Sequence, residues 1–412
     1  MNRPRPALLV LAYLAFISLG LPDAVLGVAW PSIREVFGLP QAALGAILAV
    51  AASTYFVSGM LAGRLLGLAG IGLLLAASTG LVAIGVAGYA SAPAFALFLC
   101  ASCFLGFGSG AVDTGLNTYA AHHFGARHMT WLHAAYSTGA AIGPVLMTAI
   151  LSRGAGWRLG YATIATVLGV LAVAFTVMRQ QWGNGSASPA PAAGPQDDPA
   201  PATVEGTAPE VTGWTTLRRP RVWLQMGIFF LYSGVEVNAG QWSYTVLTEA
   251  RGASTAAAGT AVSLYWASLL AGRIVLGFVV EWMGAVRLLR LGTTGAIVGA
   301  LLFAVPAVPA AIGLAILGFS LAPIFPGLMS ETPRRIGKDA AAHAVGFQVS
   351  SATLGVAVLP SVSGLIGERL GLSAVAPLIA GIAVLLGLSH ELLVAVTPIR
   401  GQPLRAHPDA RG

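Results

Sequence analysis

The chain has 412 residues, of which 56% are hydrophobic and 9% charged, with a mean hydropathy of +0.79. Soluble domains carry about one quarter charged residues, so this composition excludes a soluble globular protein and implies a polytopic membrane protein. The formal net charge of +7 follows from where the arginines fall in the topology and calls for no nucleic-acid partner.

Apolar runs of about 20 residues, separated by breaks rich in Gly, Pro or Arg, predict an all-α membrane protein rather than a β-barrel. Twelve transmembrane helices are expected, at 7–30, 42–62, 68–90, 93–120, 131–151, 158–178, 221–246, 256–279, 287–305, 308–330, 343–366 and 373–396. The first run follows MNRPRP but ends in no small-residue cleavage site, so it is expected to be retained rather than removed as a signal peptide.

Within that first run Asp23 stands in LGLPDAVLGVAWP, directly after Pro22. A proline inside a span frees backbone groups, which is tolerated where a cavity or neighbour satisfies them. The second run ends AGRLLG around Arg64. In the fourth, Cys100 and Cys103 form a C-x-x-C on a continuous apolar helix, which lacks the strand-to-helix context of a redox motif and reads as apolar packing. The same run continues GFGSGAVDTGLNTYAAHHFG, with Asp113 and Asn117 four residues apart and therefore on one helix face. A carboxylate near a span centre costs about 2.5–3.5 kcal/mol on insertion scales, so it marks a cavity, a pathway or a proton relay. His122, His123, His128 and His133 straddle the next loop without an acidic companion, so no metal site is expected.

Residues 183–214 are rich in Pro, Ala and Gly and poor in large aliphatics. This predicts a disordered cytoplasmic linker between an N-terminal half, 1–182, and a C-terminal half, 215–412. The seventh run carries LYSGVEVNAGQWSYTVL, in which Glu236, Asn238, Gln241 and Trp242 offer the carboxylate, amides and ring that suit a hydroxyl-rich ligand. An interfacial aromatic belt is the competing explanation for Trp242.

The two halves repeat. Leu105–Ala126 lies over Leu317–Lys338 at a constant offset of 212, matching Leu105, Gly106, Phe107, Gly115, Leu116 and Gly125 with no gap. The AGR of the second run, ending at Arg64, recurs in the eighth at Arg273. Both arginines are expected at cytoplasmic helix ends, in gating or loop roles. Repeats separated by six spans are parallel, and such halves enclose a substrate cavity near the midplane. Tyr136 and Gln348 also align at this offset and are expected to line that cavity. Asp113, however, aligns with Phe325 and Asn117 with Met329, so the polar pair belongs to one half only. With the N-terminus inside, only Arg34, Arg153, Arg158, Arg251 and Arg369 of the 22 basic residues fall on the outer side. Both termini are therefore expected in the cytoplasm. Lys338 is the only lysine, which suggests a GC-rich bacterial genome and hence a bacterial inner membrane.

Two parallel six-span halves around a long linker resemble the major facilitator superfamily over essentially the whole chain. Asp113–Tyr119, DTGLNTY, resembles the E-T-A-A-N-P-Y segment of the fucose permease group, with Asp113 for Glu and Thr118 for Pro. Asp23 falls at that group's first-helix aspartate, and GVEVNAGQW is similar to the G-x-E-x-x-x-x-W of sodium-dependent glucose transporter-like members. The loop after the second span departs from the superfamily's motif, with Gly63 where Asp is usual. The resemblance implies a secondary transporter rather than an enzyme, with proton-coupled symport of a monosaccharide or similar small polar solute. Asp23 and Asp113 would carry the proton, and the chain would act without a cofactor and as a monomer. Sodium-coupled sugar symport and proton-driven efflux of amphipathic compounds are the alternatives.

Overall fold

The computed structural model describes residues 6–123, 126–182 and 212–397. Side chains of 121–130 are not described, so the expectation for His122, His123 and His128 lies outside the described residues, as do 183–211 of the expected linker. The linker's last two residues, Gly213 and Trp214, already belong to a short helix.

The described chain forms α1 (Pro6–Asp23), α2 (Val25–Phe37), α3 (Ala43–Ser91), α4 (Phe95–His123), α5 (Ala126–Ser152) and α6 (Trp157–Met178). The second half forms α7 (Gly213–Leu217), α8 (Pro220–Thr245), α9 (Thr255–Met283), α10 (Ala285–Ala304), α11 (Ala310–Leu321), α12 (Ile324–Ile336), α13 (Lys338–Leu370) and α14 (Val375–Val396). Ten of these stretches are long and apolar enough to cross a membrane. Helices α1 and α2 together make one crossing, interrupted at Ala24 just after Pro22, and α11 and α12 make another, interrupted at Ala322 and Pro323. Helix α8 is absent from the ten; Glu236, Asn238 and Gln241 dilute its hydropathy.

The 49 residues of α3 are two crossings, not one. Gly70 sits at φ 69°, ψ 163°, a conformation that only glycine adopts without strain. Both sides of this turn pack along α4: Gly106 and Gly110 lie against the backbone at Ala51 and Tyr55, while Gly108 lies against Ser78 and Val82. Contact positions rise together on the first side and run in opposite directions on the second, where Gly85 meets Ala101 and Leu105 and Gly115 meets Leu74. The chain therefore folds back at Gly70, and the crossings number twelve as the sequence predicts.

Small residues set these helix pairs because, without a hydrophobic force between helices in lipid, close backbone approach supplies the packing. The repeat is visible in the same contacts. Gly106 rests on Ala51 and the hydroxyl of Thr54; Gly318 rests on Tyr265 and the hydroxyl of Ser268. This fixes the register between α3 and α9 at an offset of 214, so Arg64 corresponds to Phe278, and Arg273 to Gly59. Pairing the two arginines through their shared AGR was therefore a misalignment by five residues, about 7.5 Å of helix.

Across the halves, α5 packs on α9 and α3 on α13. At the end opposite the termini, Gly27 of α2 abuts Gln241 of α8, Gly45 abuts Ser361, and Gly259 abuts Thr148. There Glu249, carried on a π-helical turn after α8, accepts from Arg34 at 3.0 and 3.1 Å and from Gln41 at 2.9 Å. Gln41 in turn accepts from the Trp30 indole at 3.0 Å.

Candidate functional site

The midplane site begins on α4. Gly106 and Gly110 let α3 approach so closely that the Tyr55 hydroxyl reaches Asp113 and donates to its Oδ2 at 2.5 Å. One turn on, Asn117 Nδ2 donates to Asp113 Oδ1 at 2.9 Å, the i, i+4 geometry expected from sequence. The first bond lies in the short range of hydroxyl-to-carboxylate bonds. The Asn117 Oδ1 is buried without a partner. An amide rotated by half a turn presents oxygen in place of nitrogen, so Asn117 can donate to the carboxylate or accept from the protonated acid.

A second carboxyl stands at the α1–α2 break. Gly20 and Gly139 bring α1 and α5 together, and Tyr136 donates to Asp23 Oδ2 at 3.0 Å. The backbone carbonyl of Asp23, freed by the break, accepts from Gln241 Nε2 of the other half at 2.9 Å. Asp23 and Asp113 lie within electrostatic reach of each other.

The C-terminal half contributes an ion pair. Arg273 Nη2 lies 3.4 Å from Glu236 Oε1, and the two side chains are only 18% and 14% exposed. Arg273 Nη1 also crosses to the N-terminal half, donating to Ser137 Oγ at 2.6 Å and to the His133 carbonyl at 3.4 Å. Tyr265 donates to the Glu236 carbonyl at 2.8 Å. The buried Tyr232 hydroxyl lies against both members of the pair.

Several sequence expectations need correction. Arg273 is not at a helix end: α9 continues ten residues further to Met283, which places the guanidinium in the site. Arg64, by contrast, is exposed near the Gly70 turn. Gln348 does not line the cavity. It is fully buried and bonded to Gln225 at 2.6 Å and to Thr332 at 3.1 Å, all within one half. Trp242 is likewise enclosed, its indole donating to the Pro360 carbonyl at 3.0 Å. Asn238, one turn earlier on the same face, is fully buried and donates to the Gly234 carbonyl at 2.8 Å. That face of α8 packs on α13, where Gly234 abuts Leu359 and Gly364 abuts Trp242. Glu236, two residues from Asn238, points away from it, and period 3.6 makes this unavoidable.

Sequence reasoning overlooked Tyr55, Ser137, Tyr232 and Tyr265. The available signal was a phenol inside an apolar span, whose hydroxyl requires a partner when buried. The assembled site holds three carboxyls, one guanidinium, four tyrosines and an amide with spare hydrogen-bonding capacity. It contains no activated nucleophile; Ser137 accepts from Arg273 and donates to the His133 carbonyl. Among the described residues no three His, Cys, Asp or Glu side chains converge as metal ligands. Such a site can hold a polar solute and change protonation; nothing in it prepares a bond for breaking.

A family model described as Major Facilitator Superfamily matches residues 12–351. The chain belongs to the major facilitator superfamily. It is a multi-pass membrane transporter, as the resemblance implied, and not an enzyme. Solved structures share the superfamily fold at low sequence identity. The nucleoside transporter NupG superposes with a TM-score of 0.71 at 14% identity, covering 95% of this chain and 99% of that one. A bacterial homologue of the human lysosomal transporter Spinster, inward-facing and unoccupied, gives 0.72 at 14% identity over 96% and 98% of the two chains. FucP in its outward conformation gives 0.61 at 15% identity over 93% and 98%. The Saccharomyces cerevisiae protein named "Bypass of stop codon protein 6" is 25% identical over 285 residues, 65% of this chain. The match spans only 55% of that yeast protein's length.

Proposed function

We propose that this superfamily member is a proton-coupled symporter of a monosaccharide or a similar hydroxyl-rich solute. The observation that carries the reading is that Asp113 and Asp23, each held by a tyrosine of its own half, flank the one place where Arg273 bridges the halves. Alternating access requires that bridge to break and reform as the halves rock. A solute whose hydroxyls replace Ser137 and fill the spare capacity of Asn117 would take over its hydrogen bonds. Protonation of Asp113 or Asp23 changes the charge balance around Arg273, which ties proton occupancy to the same rearrangement. Four tyrosine rings and the amide suit a sugar's mixture of hydroxyls and apolar face.

Orientation follows from the arginine asymmetry, with termini in the cytoplasm of a bacterial inner membrane. In that frame the Arg34–Gln41–Glu249 cluster seals the outer side. The described bonds between the halves run from Arg273 with Ser137 and the His133 carbonyl to Gln241 with the Asp23 carbonyl and Glu368 with Ala42.

The test is proton movement in proteoliposomes, reported by a trapped pH dye, on addition of each of a panel of sugars and nucleosides to wild type and Asp113→Asn. Solute-dependent acidification that disappears in the variant is expected. Uptake that depends on sodium and moves no protons would replace the coupling ion, and uptake of no polar solute would overturn the reading in favour of efflux.

A further inference from the structure

A second polar site lies at the terminal end of the C-terminal half, away from the transport site. Arg218, Arg219, Pro220, Arg221, Arg335 and Ile336 line a cleft of about 360 Å³. Arg218 and Arg221 are exposed. Arg335, on α12, is only 6% exposed, and its Nε and Nη1 atoms have no hydrogen-bond partner. Glu331 offsets part of its charge, but buried guanidinium N–H groups without a hydrogen-bond partner are costly, so an anionic ligand at the cleft would add compensation the fold leaves incomplete. The α8 N-terminus opens at the same place, with Arg219 as its cap and Pro220 in the first turn, adding its positive end to the cleft. Two carboxylates lie nearby and leave the cleft with an excess of arginines. Asp339 stands 4.0 Å from Arg219, and Glu331 pairs with Arg334 at 3.3 Å. Arg219 is also anchored to the Ile336 carbonyl.

We propose that this cleft binds a phosphate group, held by the Arg335 guanidinium and the arginines at the start of α8. Guanidinium forks match phosphate oxygens geometrically. The tryptophans beside the cleft favour the headgroup of an anionic phospholipid. Trp214 of α7 and Trp223 of α8 flank the arginines, are 68% and 58% exposed, and mark the membrane–water interface. The Trp223 indole donates to the Leu217 carbonyl at 2.8 Å, tying α7 to the start of α8. The cleft thus sits where the second half emerges from the bilayer, and a lipid there would hold the base of α8, the helix that carries Glu236.

The full chain, purified in mild detergent, would be incubated with equal phosphatidylglycerol and phosphatidylcholine, and retained lipid counted by native mass spectrometry. Wild type is expected to prefer phosphatidylglycerol. Arg335→Gln should reduce that preference by about fivefold, the effect of one well-placed cation near a lipid surface, and the exposed pair Arg218→Gln/Arg221→Gln by about 25-fold. Arg153→Gln at the other end should leave it intact. Should Arg335→Gln not fold, as judged by gel filtration, the exposed pair decides the matter. A parallel arm measures thermal stabilisation by inorganic phosphate against chloride at equal ionic strength. Stabilisation lost in Arg218→Gln/Arg221→Gln, without lipid preference, would assign the site to a soluble phosphate. Equal retention of both lipids together with no phosphate effect would overturn the proposal.

Discussion

The two halves hold the same helix position in opposite ways. In the N-terminal half, Asp113 sits on an unbroken α4 and is bonded to Tyr55 and Asn117. In the C-terminal half its repeat mate Phe325 sits just after the Ala322–Pro323 break, edge-on to Phe229 at 5.2 Å and tilted against Tyr232 at 5.9 Å. The glycine contacts that support both helices are shared, Gly106 on Ala51 and Gly318 on Tyr265. The scaffold is thus repeated while the chemistry is not. Packing is required twice, to build two halves, whereas the carboxyl and its amide partner occur in one half only.

The C-terminal half's own charges are instead a compensated pair, and the largest expected effect comes from uncompensating it. Arg273→Met leaves Glu236 largely buried without its partner. This should cost about 3 kcal/mol of stability, the lower end for breaking a buried pair, since both side chains retain some exposure. Chemical denaturation or a thermal shift in detergent would measure it, and Arg273→Met/Glu236→Gln should recover most of the loss. If the double variant is no better than the single one, Arg273 works through Ser137 rather than Glu236.

Next come exchanges across the repeat. Asp113→Asn keeps the shape and removes the proton, and should lower proton-coupled uptake by about a hundredfold, the smaller end of what a positioned acid–base group contributes. Counterflow of solute, which needs no net proton transfer, should persist. Phe325→Asp places a carboxyl among rings at a cost of about 2.5–3.5 kcal/mol and should not restore coupling to Asp113→Asn. Restored coupling would mean that the halves are interchangeable and that their asymmetry is incidental.

What the sequence revealed divides along similar lines. The twelve crossings were legible because hydropathy is additive along a helix, and the repeat was legible where glycines must be kept, at Gly106 and Gly318. Arg273 was misplaced because AGR is a local match, whereas register is set by backbone contact with the neighbouring helix. The polar run of α8 was over-assigned for a related reason. Glu236 and Asn238 are adjacent in text but lie on opposite faces, and only packing against α13 decides which face is enclosed. Tyr55 and Ser137 were invisible because their importance lies wholly in partners on other helices, Asp113 and Arg273.

A smaller effect is expected from the tyrosines that hold Asp113 and Asp23. Tyr55→Phe deletes one charge-assisted hydrogen bond, worth about 1.5–3 kcal/mol, and should shift the pH midpoint of uptake with little loss of folded protein. Tyr136→Phe makes the corresponding change at Asp23. Only if Asp113 alone carries the proton should the two variants differ, with Tyr55→Phe moving the midpoint and Tyr136→Phe leaving it in place. An equal shift in both would show that the two carboxyls act as one unit.

The smallest effect concerns the far end of the bundle, where the two halves meet as equals. Arg34 and Glu249 are 29% and 27% exposed, and such partly solvated pairs contribute about 0.5–1 kcal/mol. Breaking this one by Arg34→Gln should therefore leave stability almost unchanged. In a two-state transporter, however, the same energy acts on a population ratio, and about 0.8 kcal/mol is a fourfold shift toward the arrangement in which this end is open. Labelling rates of a cysteine placed at Ser361, which abuts Gly45 across the halves at this end, would report it. Faster labelling in Arg34→Gln is expected, and Glu249→Gln should match it because the pair is one latch. An effect of Glu249→Gln alone would transfer the latch to Gln41, the other donor to that carboxylate.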